Sequence, residues 1–251
     1  CVFMSNAASL LLPGSNLTNL LILSTEHVSG STFLARMAAP WLAAVTVTMV
    51  VVGVAFRKRT RAAPAVDTDA PSPGPLSVLG MAIAVVLILL FADSAVPVLA
   101  VGVLLVAVRL CQHRLTGARI RAGVDVISLL GIFLVAIALG TVARVWAYPA
   151  ELMASAGSIE SAAIGAVASV LVNNLPAAVL LGSRMPDHAR SLLVGLNVGP
   201  NLAVTGSLSA LLWWQAARSV GAQPSARRYS AVGVILVPLT LAAALAAGRL
   251  P

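Results

Sequence analysis

Apolar residues fill most of the chain in long runs, broken at a few places by clusters of Gly, Pro and Asn. A membrane span takes about 17 to 25 mainly apolar residues. On that measure the pattern predicts an all-α chain with segments at 2–23, 40–56, 76–92, 95–108, 124–142, 159–181, 191–214 and 229–247. A Pro-rich polar stretch, "AAPAVDTDAPSPGP", lies between the second and third segments and is the one internal boundary. It divides the chain into 1–56, a linker at 57–75 and 76–251.

Three interruptions fall inside apolar runs rather than between them. "GSNLTNL" starts at Gly14, "GPNLAVT" at Gly199, and "VNNLPAA" carries Asn173, Asn174 and Pro176. Gly in a helix interior costs about 1 kcal/mol relative to Ala, and Asn competes for the backbone's hydrogen bonds. Gly-x-Asn-Leu therefore predicts a broken helix twice, at 2–23 and at 191–214. The Asn pair predicts a hairpin tip at about 159–182, with Pro176 keeping the residue before it out of the helical region. The alternative is a Pro-kinked span whose amides bond a neighbouring helix.

Composition fixes the class. Hydrophobic residues make up 59% of the 251, and charged residues only 10%. A soluble domain carries about 25% charged residues, so this is the composition of an integral membrane protein. The net charge of +8 then reads as topology rather than as a nucleic-acid footprint. If 159–182 enters and leaves on one side, eleven basic residues fall inside against five outside: Arg36, Arg144, Arg184, Arg190 and Arg249. If it crosses, the two sides hold about eight each, so the positive-inside rule favours the hairpin.

On that map the two broken helices run antiparallel, the pattern of an inverted-repeat secondary transporter. The second unit reaches Gly199 123 residues after Leu76, whereas only thirteen residues precede Gly14. Matching halves would place roughly 110 further residues upstream, including a partner hairpin.

Candidate chemistry is amide and hydroxyl. The first break offers Asn6, Ser9, Ser15, Asn16, Thr18 and Asn19, and the second Asn197, Asn201, Thr205 and Ser207 around Gly199-Pro200. Pro200 removes an amide proton and Gly199 permits unusual dihedrals, so nearby carbonyls lose their helical partners. Such a set suits a polar solute or a hard cation; packing between kinked helices is the structural alternative. Asp125 and Arg144 bracket one span, either as surface anchors or as gate or coupling groups. Asp93 is read as a solvated turn residue. No catalytic or metal-binding motif stands out: His27, His113 and His188 fall in loops, and Cys1 and Cys111 lack ligand spacing.

"SVLVNNLPAAVLLGS" followed by "GLNVGPNLAVTGSLSALLWW" resembles the second half of arsenite/antimonite efflux permeases of the ion transporter superfamily. "SNAASLLLPGSNLTNLLI" resembles the same family's first broken helix. The resemblance implies a carrier, not an enzyme, moving a small oxyanion or its neutral acid. It puts Asn173, Asn174 and Pro176 at the hairpin tip and Gly199, Asn201, Thr205, Gly206 and Ser207 at the second break. Ser15, Asn16, Thr18 and Asn19 fall at the first. Some members place an acidic residue where Asn197 stands and a basic one where Asn201 stands; the neutral amides here leave the coupling group open.

The function expected is export of arsenite or antimonite driven by the proton motive force. A sodium- or proton-coupled carrier of a dicarboxylate, sulfate or other small anion is the first alternative, and a non-transporting scaffold or partial duplicate the second. No cofactor is expected beyond the coupling ion, H+ or Na+. The partners are the lipid bilayer and the solute; a homodimer and, as in some family members, a cytoplasmic ATPase are compatible with the resemblance. A single Lys among sixteen basic residues and abundant Ala suit a GC-rich bacterial chain, hence the plasma (inner) membrane.

Overall fold

The computed structural model describes residues 2–23, 28–60, 74–91, 94–113, 116–117, 126–219 and 221–249, with the side chains of 58–60, 126–129, 132, 136 and 219 outside the description. Among the described residues all regular structure is helical. The helices are α1 (Val2–Ala8), α2 (Leu17–Leu23), α3 (Gly30–Thr60), α4 (Pro75–Leu90), α5 (Ala95–Cys111) and α6 (Val126–Val145). They continue with α7 (Tyr148–Ser155), α8 (Ser158–Val172), α9 (Asn174–Leu181), α10 (Ala189–Val198), α11 (Leu208–Ser219) and α12 (Ala226–Ala247). Asp93, Asp125 and His27 lie outside the described residues, as does most of the 57–75 linker.

Among the described residues, two stretches are singly long and apolar enough to cross a membrane, Gly30–Arg57 and Ala226–Ala247. Phe133–Val145 and Tyr148–Ser155, which meet at 74°, count as a third if taken as one bent span. These apolar helices are compatible with a membrane protein. They also redraw part of the predicted map. Helix α3 starts at Gly30, ten residues before the expected 40, because Pro40 is accommodated inside it. Phe33 and Met37 in that added stretch are buried, so packing outweighs the lost hydrogen bond. At its other end α3 runs on through Arg57 to Thr60, into the range expected to be linker. Helix α7 occupies a stretch to which no element was assigned.

Helices α3 and α12 lie antiparallel. Pro40 neighbours Gly248 at one end, and Val51, Val52 and Phe56 pack around Tyr229 and Leu236 at the other. The tightest pairing joins α8 to α10. A Cβ on Gly195 would strike the Ala162 carbonyl, and one on Gly199 would meet the Ala166 backbone and, at 2.6 Å, Ser169 Oγ. Small residues four apart on both helices thus let the two backbones touch, the contact that binds helices where water supplies no driving force. Leu10, Ile22, Leu192, Leu196, Ala177 and Ala178 form the main core, and Phe3, Tyr229, Ala210 and Leu236 a smaller one.

Candidate functional site

Both predicted breaks are present, and their backbones repeat. After α1, Leu12 is extended (φ −124°, ψ 147°), Pro13–Ser15 forms a 3-10 turn, and Asn16 is extended again (φ −150°, ψ 138°) before α2. After α10 and a first 3-10 turn at Gly199–Leu202, Ala203 is extended (φ −144°, ψ 148°). Val204–Gly206 then turns and Ser207 is extended (φ −146°, ψ 153°) before α11. The equivalent positions are 191 residues apart (Leu12 with Ala203, Asn16 with Ser207). The Gly-x-Asn-Leu motifs are 185 apart (Gly14 with Gly199), so the shared motif is out of structural register. The backbone instead pairs Asn6 with Asn197.

That register exposes a reciprocal arrangement. Asn16 Oδ1 accepts from the Thr18 amide (3.2 Å), capping α2, while Asn16 Nδ2 donates to Asn197 Oδ1 (2.8 Å). Ser207 Oγ accepts from the Ala210 amide (3.2 Å), capping α11, and donates to Asn6 Oδ1 (3.4 Å). Each cap therefore satisfies an orphan amide of its own helix and also reaches the paired asparagine of the other break.

Asn197 sits at the centre, 1% exposed. Its Nδ2 donates to Asn19 Oδ1 (2.8 Å) and Leu193 O (2.9 Å). Ser9 Oγ lies 2.7 Å from both Asn197 Oδ1 and Asn6 O, and its single proton serves one at a time. Asn6 Nδ2 donates to Asn201 Oδ1 (2.8 Å), and Asn201 Nδ2 to Phe3 O (3.2 Å). Asn19 Nδ2 ties the first break to itself through Ser9 O (2.7 Å) and Leu12 O (3.1 Å). Asn6, Asn19, Asn197, Asn201 and Ser207 are all buried. Such groups are stable in an apolar interior only when paired, and here they pair with one another. Thr18 Oγ1, also buried, has no partner among the described residues.

Helix α12 closes one side. Gly233 lets it press against the Asn201 carbonyl, and Tyr229 donates to Pro200 O (3.4 Å) while stacking on Phe3 (centroids 4.5 Å apart). On another side, Asn173 joins α8 to α9 and its Nδ2 donates to Thr205 O (2.9 Å). Its backbone is at φ 77°, ψ 153°, a region held almost only by glycine, at a cost of about 1–3 kcal/mol. Strain of this kind persists where surrounding contacts enforce it.

The site differs from the expected one at several residues. Gly199 is right-handed helical (φ −52°, ψ −40°), so it serves close approach to α8 and not an unusual dihedral. Pro176 does not exclude Leu175 from the helix. Both belong to the first turn of α9, where a missing amide proton costs nothing, and the break falls at Asn173. Asn174 is buried at the start of α9 without a side-chain hydrogen bond among the described residues. Ser15 is exposed and closes its own turn on Ser9 O and Leu12 O. Thr205 contributes its carbonyl while its side chain is exposed, and Gly206 packs on Pro200. Arg144 is exposed in the last turn of α6 and makes no hydrogen bond or ion pair among the described residues. Tyr229, Gly233 and the small-residue faces of α8 and α10 went unnoticed in the sequence. Gly195-x-x-x-Gly199 beside Ala162-x-x-x-Ala166 was the signal that would have found the last of these.

No protein-family model, curated protein or solved structure matches the chain.

Proposed function

We propose that the chain is a secondary transporter of inverted-repeat design, in which the asparagine–serine network between the two breaks binds a small polar solute in exchange for its own hydrogen bonds. Helices α8 and α9 act as the re-entrant hairpin, with Asn173 at its tip. The observation that carries the reading is the network itself: five buried amide or hydroxyl side chains from two broken helices, bonded across the breaks and free of any fixed charge. Irregular backbone at membrane depth is tolerated where it lines a cavity or lies buried in protein.

The solute that fits best is trivalent arsenic or antimony. At neutral pH arsenite is a neutral trihydroxy acid, and its hydroxyls can donate to amide oxygens and accept from amide protons. An anion would want a cation in the site, and among the described residues the network's contacts are amide, hydroxyl and carbonyl only. This ranks the anion-carrier reading second. No group in the network ionises near pH 7, so in a proton-driven exporter the proton acts on the conformational change rather than on the binding contacts. The resemblance to arsenite permeases and the Thr18 hydroxyl, buried without a partner among the described residues, support the same reading.

Everted membrane vesicles loaded with the full-length protein provide the test. Accumulation of trivalent arsenic that requires a proton gradient, and is lost in Asn16→Ala, is the expected result. Asn16 is only partly buried but caps α2, so thermal unfolding of the variant checks that its fold is kept. Vesicles that contain folded protein and take up no arsenic, with or without the gradient, would remove arsenite as the substrate and move sodium-dependent anion transport to first place.

A further inference from the structure

Five arginines fall outside by the positive-inside reading of the sequence; none takes part in the asparagine network, and three of them converge. Arg36 at the start of α3, Arg190 in the first turn of α10 and Arg249 just past α12 line one cavity of about 390 Å³. Among the described residues Asp187 is the only acidic one on its wall, and His188 adds an imidazole. The three guanidinium groups are exposed and make no hydrogen bond or ion pair among the described residues. The amino end of α10 opens on the same cavity, adding the positive pole of its dipole.

A second, apolar hollow of about 370 Å³ adjoins it. Ile159, Ala163, Pro238, Leu241 and Ala242 line this groove between α8 and α12, and Leu245 and Arg249 belong to both walls. From Ala247 to Pro238 the α12 axis falls by about 14 Å. That is close to half of the roughly 30 Å hydrocarbon core, the depth of one leaflet. A free anion would use the cationic cavity alone, and an alkane the groove alone. A molecule that uses both carries an anionic head and an acyl tail on one backbone.

We propose that this bipartite hollow is a binding site for one anionic phospholipid, its phosphate among Arg36, Arg190 and Arg249 and one acyl chain along the α8–α12 groove. The site is independent of the transported solute. Because it rests on α10, whose other end carries Asn197, an occupied site braces the helix that holds the network.

Native mass spectrometry of the full chain in detergent, titrated with phosphatidylglycerol, phosphatidylcholine or glycerol phosphate, tests the proposal. Phosphatidylglycerol is expected to bind at least about fivefold more tightly than phosphatidylcholine, with each Arg→Gln change at 36, 190 or 249 removing up to about fivefold. Ala242→Trp, which fills the groove and leaves the arginines in place, is expected to weaken phosphatidylglycerol as well. All four positions are exposed, so the variants keep the fold, and thermal unfolding checks that they do. Equal affinity for the two lipids, a preference that survives the triple Arg→Gln variant, or an unchanged Ala242→Trp would overturn the proposal. So would displacement of the lipid by millimolar glycerol phosphate, which would make the cavity a soluble-anion pocket.

Discussion

Truncating Asn197 to Ala removes the side chain on which the two breaks converge. Ser9 Oγ keeps Asn6 O as acceptor, and Leu193 O keeps its place in the helical ladder. Asn16 Nδ2, only partly buried, can turn to water. Asn19 Oδ1 cannot: Asn19 is wholly buried, and Asn197 Nδ2 is the donor it loses. One stranded buried acceptor costs about 1–3 kcal/mol, and the space left by the amide adds about 1 kcal/mol. The expected loss is therefore about 2–4 kcal/mol, or roughly 5–15 °C in Tm for a chain of this size. Tryptophan fluorescence of the detergent-solubilised protein follows the transition. The cycle with Asn19→Ala isolates the pair, and a coupling of about 0.6–1.7 kcal/mol is expected from hydrogen bonds between membrane helices. Asn197→Asp should cost at least as much as Ala, since it sets an oxygen where Nδ2 donates to Asn19 and Leu193. An Asn197→Ala protein melting within a degree of wild type, or a coupling indistinguishable from zero, would refute the network as drawn.

Other expectations follow from single contacts. Gly195→Ala drives a methyl into the Ala162 carbonyl and should cost about 1–3 kcal/mol by the same melting assay, with larger residues blocking folding. At Asn173, Gly should be more stable than Ala by about 1–3 kcal/mol because only Gly accepts φ 77°, ψ 153° without strain. Either change removes the link to Thr205 O and, on the proposed function, should slow transport; equal stability of the two variants would mean that the backbone is not strained there. Tyr229→Phe should cost under about 1 kcal/mol, because its bond to Pro200 is long, whereas Tyr229→Ala should cost about 3–5 kcal/mol through lost packing on Phe3 and Trp213. Reversed sizes would place the hydroxyl, not the ring, in control of the break.

Local chemistry was enough to establish several features from sequence alone. Apolar run length predicted most of the helices, and the penalty on Gly, Pro and Asn inside such runs located both breaks and the Asn173 junction. Those signals are short-range: a residue that fits a helix poorly does so whatever lies across from it. The same locality misled at Pro40, Pro176 and Gly199. The apolar segment bounded at Pro40 is part of a longer helix, because burial of Phe33 and Met37 carries α3 through the proline; Pro176, expected to keep Leu175 out of the helix, is harmless in the first turn of α9. Gly199 was read for its dihedral freedom, when what matters is the helix lying against it. Only the tertiary structure set the register of the two breaks, at 191 rather than 185 residues, because register follows backbone dihedrals and the partners across the interface, not a shared tetrapeptide. Which amides are paired was likewise a tertiary decision. Asn197 and Asn6 look like any polar interruption in the chain, and become the middle of a site because each amide, once buried, must find its partner on the other broken helix.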